Sequence, residues 1–105
     1  MRMYILARQD LKPAQRAVQA CHAVAELWLR NRDDPALLEW ARDHKTMVLL
    51  GVESEADLLA WEQKLAAAGI PAAAFREPDM GNQATALAVH PSCDKGRFKK
   101  LPLCS

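Results

Sequence analysis

"DLKPAQRAVQACHAVAE", residues 10–26, decides how the rest of the chain is read. Pro13 suits a helix start, because its missing N–H is one the first turn would leave unpaired anyway. Ala17, Ala20 or Cys21, Val24, Leu27 and Trp28 recur at helical spacing and form the expected core face. Small residues at 17, 20, 21, 23 and 25 let that helix lie close to a sheet. Gln15, Gln19, His22 and Glu26 follow one another at spacings of four, three and four, which gathers them into one polar stripe. A stripe containing a histidine, directly after an apolar run, asks for an explanation beyond packing.

Working outward, the run before it is "MYILAR" (3–8), a short buried strand. "NRDDPALLEWARDHK" (31–45) predicts a second helix, capped by Asp33 or Asp34 with Pro35 near its start. "TMVLLGV" (46–52) is a second buried strand. "SEADLLAWEQKLAAAGI" (54–70) is the clearest helix, with Ser54 as N-cap, Leu58, Leu59, Trp61, Leu65 and Ala66 as its apolar side, and Gly69 at its end. "PAAAFRE" (71–77) and "ATALAVH" (84–90) read as strands, joined by a turn around Gly81-Asn82. A loop-like, basic tail follows Pro91.

The order is therefore β-α-α-β-α-β-β in one domain, 1–105. Strands separated by helices imply crossovers and a partly parallel sheet, while the last two strands are too close for anything but antiparallel pairing. The expected fold is α/β: a three-layer α/β/α sandwich around a mixed, four-stranded sheet.

Composition narrows the class. The chain has 105 residues, half of them hydrophobic and 26% charged, as in globular domains. No apolar run approaches the ~20 residues that cross a bilayer. The apolar part of "MRMYILARQD" is too short for a secretory signal, so a cytoplasmic protein is expected. Cys21, Cys93 and Cys104 lack C-x-x-C spacing, which indicates neither a disulfide framework nor zinc. His44 and His90 stand at no metal-ligand spacing, and no metal or other cofactor is expected. Net charge is +1; Lys95, Arg97, Lys99 and Lys100 near the C-terminus suit either a phosphate or solvent.

Open α/β sheets bind ligands beyond the carboxyl ends of their strands. That rule selects Arg8, Gln9 and Asp10, then Glu53, then Glu77 to Asp79. The N-terminus of the first helix opens beside Asp10, where its N–H groups and dipole favour an anion. Each residue also has a plainer reading. Asp10 caps a turn, His22 is hydrogen-bonded structure, and Asp79 in "PDMG" is a turn residue. Trp28, Trp40 and Trp61 read as core or subunit contacts. The residues alone support a cytoplasmic α/β domain with a polar site at its strand tips.

"RQDLKPAQRAVQACHA" resembles the opening signature of the class II (archaeal/eukaryotic-type) peptidyl-tRNA hydrolases: a strand, R-x-D-L, a glycine-lysine turn, then a helix with A-x-Q-x-x-H-A. Arg8, Asp10, Leu11, Gln19, His22 and Ala23 stand in those places. "TALAVHP" is similar to the family's last strand. "PAQR" puts Gln15 or Arg16 where the family has its lysine, and "REPDMGNQAT" puts Glu77 or Asp79 at the family's aspartate.

The resemblance implies a metal-independent hydrolase that releases tRNA from peptidyl-tRNA. The carboxylate that handles the water is then Asp79 or Glu77, with His22 and Asp10 in the catalytic set. Arg8, Lys12, Gln15, Arg16, Gln19 and Thr85 are implied to hold the tRNA substrate. The alternative is an inactive RNA-binding or regulatory domain on the same fold. Exposed tryptophans and sheet edges are compatible with a homodimer.

Overall fold

The computed structural model describes residues 1–104. β1 (Arg2–Arg8) leads into α1 (Pro13–Arg30) and α2 (Pro35–Glu39), then β2 (Thr46–Val52), α3 (Glu55–Ala67), β3 (Ala72–Glu77) and β4 (Gln83–Val89). The sheet order is β2-β1-β4-β3. β1 and β2 are parallel, while β4 runs antiparallel to both β1 and β3. The expected mixed sheet is present.

Period-two alternation along the strands builds two cores, one on each face. Met3, Ile5 and Ala7 of β1 face α1 and α2, joining Ala20, Ala23, Leu27, Leu37 and Trp40. Tyr4 and Leu6 face α3, joining Leu50, Val52, Leu58, Leu65 and Phe98. Helices on both faces of one sheet give the three layers.

Local chemistry explains the element ends. Asp34 caps α2 by accepting from the N–H groups of Ala36 and Leu37. Ser54 caps α3 by accepting from Asp57 N–H. After α2 the chain widens into a π-helical turn, Trp40–His44, which buries Trp40 and lets its indole N–H donate to Thr46 O at 2.8 Å. Gly81 and Asn82 both adopt the left-handed conformation, φ 64° and 62°, and turn β3 back into β4.

Three details depart from the expected pattern. The buried side of α1 is Gln19, Ala20, Ala23 and Leu27; Ala17, Cys21 and Trp28 lie outside it. The face is rotated because Gln19, although polar, finds hydrogen-bond partners inside. The tail is also more ordered than a loop. A 3₁₀ turn, Lys95–Phe98, seats Phe98 against Tyr4 and Trp61, with ring centroids 5.2 and 5.1 Å apart. Leu103 then pairs with Leu50, and Gly51 N–H donates to Pro102 O at 2.9 Å, so the tail covers part of the open edge of β2.

The third departure matters most for the site. Phe75 pairs with Ala86 but Arg76 pairs with Ala84, so β4 carries one extra residue, Thr85, opposite that step. A bulge of this kind breaks the alternation. Ala84 faces the α3 core and Ala86 the α1 core, and Thr85 is turned toward α1 as well.

Candidate functional site

Gln19 stands six residues into α1, on the side that meets β3 and β4. Its amide oxygen accepts from the Thr85 hydroxyl at 2.9 Å, and its amide nitrogen donates to Glu77 Oε2 at 2.9 Å. The bulge makes this possible by aiming Thr85 at the helix. Gln19 and Thr85 are buried, and Glu77 is half-buried at the carboxyl end of β3. The second Glu77 oxygen accepts from Asp79 N–H at 3.2 Å. Each carboxylate oxygen therefore has one protein donor and a lone pair left for a water or substrate group.

The donors shift the acid. The Gln19 amide holds the Glu77 carboxyl below its ordinary range, helped by the Asp79 N–H and by the charge of His22. Glu77 is thus an anion at neutral pH. His22 lies one helical turn beyond Gln19, exposed, with its ring packed on Phe75 at 4.5 Å between centroids.

A second cluster adjoins the first through β4. Arg8, buried at the end of β1, donates through Nε and one terminal nitrogen to both oxygens of Asp10, at 3.0 and 2.9 Å. Its other terminal nitrogen donates to Gln83 Oε1 at 2.9 Å and Ala84 O at 3.1 Å. Glu55, at the start of α3, accepts from Ala84 N–H at 2.8 Å. Arg8 and Glu55 thereby clamp both sides of Ala84, the residue next to the bulge. Asp10 is held below its usual range, first by the Arg8 hydrogen bonds, and Arg8 is held above its own by the same pair.

Gln83 is the cross-strand partner of Glu77, so the two clusters form one continuous polar surface at the tips of β1, β4 and β3. The structure brings together Arg8, Asp10, Gln19, His22, Glu77 and Thr85. Arg16 braces the loop that leads into α1, donating to Leu11 O at 2.7 Å and Gln9 O at 2.8 Å. Lys12 and Gln15 are exposed at the head of α1, where Gln15 Oε1 accepts from Lys12 N–H at 3.3 Å. Asp79 is exposed in the 3₁₀ turn Pro78–Met80 and contributes its backbone N–H. Among the described residues, no three His, Cys, Asp or Glu side chains gather as a metal set.

Three participants, Glu55, Gln83 and Phe75, carry no signal in the sequence that singles them out. The bulge that recruits them leaves no mark in residue type.

Layers, topology and site together define an α/β domain with an ionised carboxylate and a histidine displayed at its strand tips. The chain belongs to the peptidyl-tRNA hydrolase PTH2 family, whose model matches residues 1–99. No curated protein matches the chain. No helix among the described residues is long and apolar enough to cross a membrane.

Proposed function

We propose that the protein hydrolyses the ester joining a peptide to the 3′ ribose of tRNA. Membership of the peptidyl-tRNA hydrolase family supports that substrate. The observation that carries the reading is the Thr85–Gln19–Glu77 chain, which fixes one ionised carboxylate beside the exposed His22.

An anion with a lowered pKa is a weak base but a good anchor. Glu77 orients the attacking water, and the His22 imidazole takes its proton as the oxygen–carbon bond forms. Collapse of the tetrahedral intermediate breaks the bond to the 3′ oxygen, which takes that proton back. The carboxylate stabilises the imidazolium in between. The Lys12 ammonium and Gln15 amide, at the positive end of α1, meet the oxyanion or a nearby phosphate. In this reading Asp79 serves through its backbone, Arg8 and Asp10 hold the strand tips, and tRNA is the partner in the cytoplasm. A homodimer would draw on the exposed Val18, Trp28 and Leu29 of α1, and sedimentation velocity reads it.

One observation favours a second reading. The family's lysine position falls on Gln15, which is neutral, or on Arg16, whose guanidinium donates to the backbone of the preceding loop. A domain that binds RNA without turnover fits that exchange. Incubation with an N-acetylated aminoacyl-tRNA separates the two. Catalytic release of free tRNA, abolished by Glu77→Gln or His22→Ala and largely kept by Asp79→Asn, is expected. Salt-sensitive tRNA binding with no release would establish the binding module instead.

A further inference from the structure

A cleft of about 530 Å³ opens on the other side of Gln9, between α3 and the tail. Its volume suits a small ligand. It lies beyond the carboxyl ends of β1 and β2, whose following helices leave to opposite faces of the sheet. That is the switch point at which open α/β sheets take ligands.

The walls are specific in order. Asp57, Trp61 and Lys64 lie four and three residues apart on α3, so they form one stripe facing the cleft. Glu53 from the tip of β2 and Lys100 from the tail line the same cleft. Among the described residues, none of these four charges enters an ion pair. The Lys64 ammonium rests over the Trp61 ring, 4.7 Å from its centroid, and Phe98 packs against the same ring. Acidic acceptors, an aromatic plane and cations around one cleft describe a planar, amino-bearing, phosphorylated ligand.

We infer that this cleft binds one unpaired cytidine or adenosine nucleotide of the RNA substrate, upstream of the reacting end. The base stacks on Trp61, displacing the Lys64 ammonium toward the phosphate, where Lys100 joins it. Glu53 and Asp57 accept from the exocyclic amino group, as carboxylates do from cytosine N4. Uracil carries a carbonyl where cytosine carries that amino group and would meet the acids unfavourably. The unpaired acceptor end common to tRNAs consists of cytidines and an adenosine. The inference rests on the proposed tRNA substrate for its biological meaning, but its test does not need turnover.

The test is titration of the full chain with cytidine 5′-monophosphate and, separately, uridine 5′-monophosphate. The reporter is the indole N–H signal of Trp61, assigned by its loss in Trp61→Phe. Cytidine monophosphate should shift that signal with millimolar affinity and bind roughly tenfold tighter than uridine monophosphate, the worth of one charge-assisted hydrogen bond. Lys64→Ala with Lys100→Ala should weaken both nucleotides, while Glu53→Gln with Asp57→Asn should erase the difference between them. Glu77→Gln should leave the shift unchanged. No response at about 10 mM, beyond the affinity expected of a single nucleotide, overturns the inference. So does equal response to the two nucleotides, or indifference to the lysine pair. Turnover of peptidyl-tRNA with a silent Trp61 would sink this inference alone. Nucleotide binding without turnover would keep it and remove the hydrolase reading.

Discussion

The two ends of the sheet carry polar clusters of similar composition with opposite consequences. At the tips of β1 and β3, Gln19 and Thr85 are buried and pass their hydrogen bonds outward to Glu77. At the other end of β4, His90 is buried and turns everything inward. Its Nδ1 accepts from Ser92 N–H at 3.1 Å, and its Nε2 lies 3.1 Å from Asp34 Oδ1. That last contact lacks hydrogen-bond alignment. The same Asp34 caps α2, so the far cluster fastens a helix start to the sheet. Residue type does not separate the two. What separates them is whether an ionised group still has lone pairs facing water once the protein's own donors are served.

The comparison breaks most visibly under substitution of the two central acceptors. Glu77→Gln should cut release of tRNA from peptidyl-tRNA by about a hundredfold or more, the usual worth of a positioned proton-handling group. Its urea midpoint should hardly move, since the side chain sits at the surface of the network. His90→Ala should do the reverse. It empties a buried site and removes the imidazole that packs beside Asp34, costing about 2 kcal/mol of stability. Turnover per folded molecule should persist. If His90→Ala lost activity and kept its stability, the assignment of roles to the two ends would be inverted.

Thr85→Val sharpens the picture within the near cluster. The shapes match, but the hydroxyl that holds Gln19 is gone, and Val-for-Thr is not a neutral exchange in a core. Gln19 then loses the partner that aims its amide at Glu77. The expected result is a roughly tenfold lower kcat with KM nearly unchanged, about one lost hydrogen bond in the transition state. Thr85→Ser should restore most of it. A fall in stability with no change in kcat would make Thr85 a packing residue only.

Much of the fold was legible because local rules agreed with it. Pro13, Ser54 and Asp34 marked helix starts, and apolar runs marked strands at 3–8 and 46–52. The strand-tip rule points to Arg8, Asp10 and Glu77 from the sequence alone. Three features were hidden for physical reasons. The buried face of α1 includes a glutamine, which periodicity counts as surface unless its partners are known. Those partners are 58 and 66 residues away. The bulge at Thr85 arises from a register step between β3 and β4, and a sequence of alanines does not encode parity. The choice between Glu77 and Asp79 as the acid held by the network followed from backbone direction at the end of β3, which turns the first side chain toward Gln19 and the second to solvent.

The smallest effect separates the clusters by pH. Asp10 and Asp34 both have folded-state pKa values below their unfolded ones, through Arg8 in the first case and His90 with the α2 N–H groups in the second. An acid with a lowered pKa contributes stability that is complete above its unfolded value, about 4, and is lost as pH falls through the folded value. Between those two values the unfolded chain binds more protons, so falling pH favours it. Asp10 is 44% exposed and its pair with Arg8 is screened, which limits its share to about 1 kcal/mol or less. Urea midpoints measured at pH 7 and again near pH 3, across this window, should therefore fall for the parent chain. The fall should shrink in Asp34→Asn and in Asp10→Asn, and only the Asp10 share should fade in about 1 M salt, where the Debye length is near 3 Å. Equal salt sensitivity at both ends would mean that the far cluster is as open to solvent as the near one, and the contrast between them would be lost.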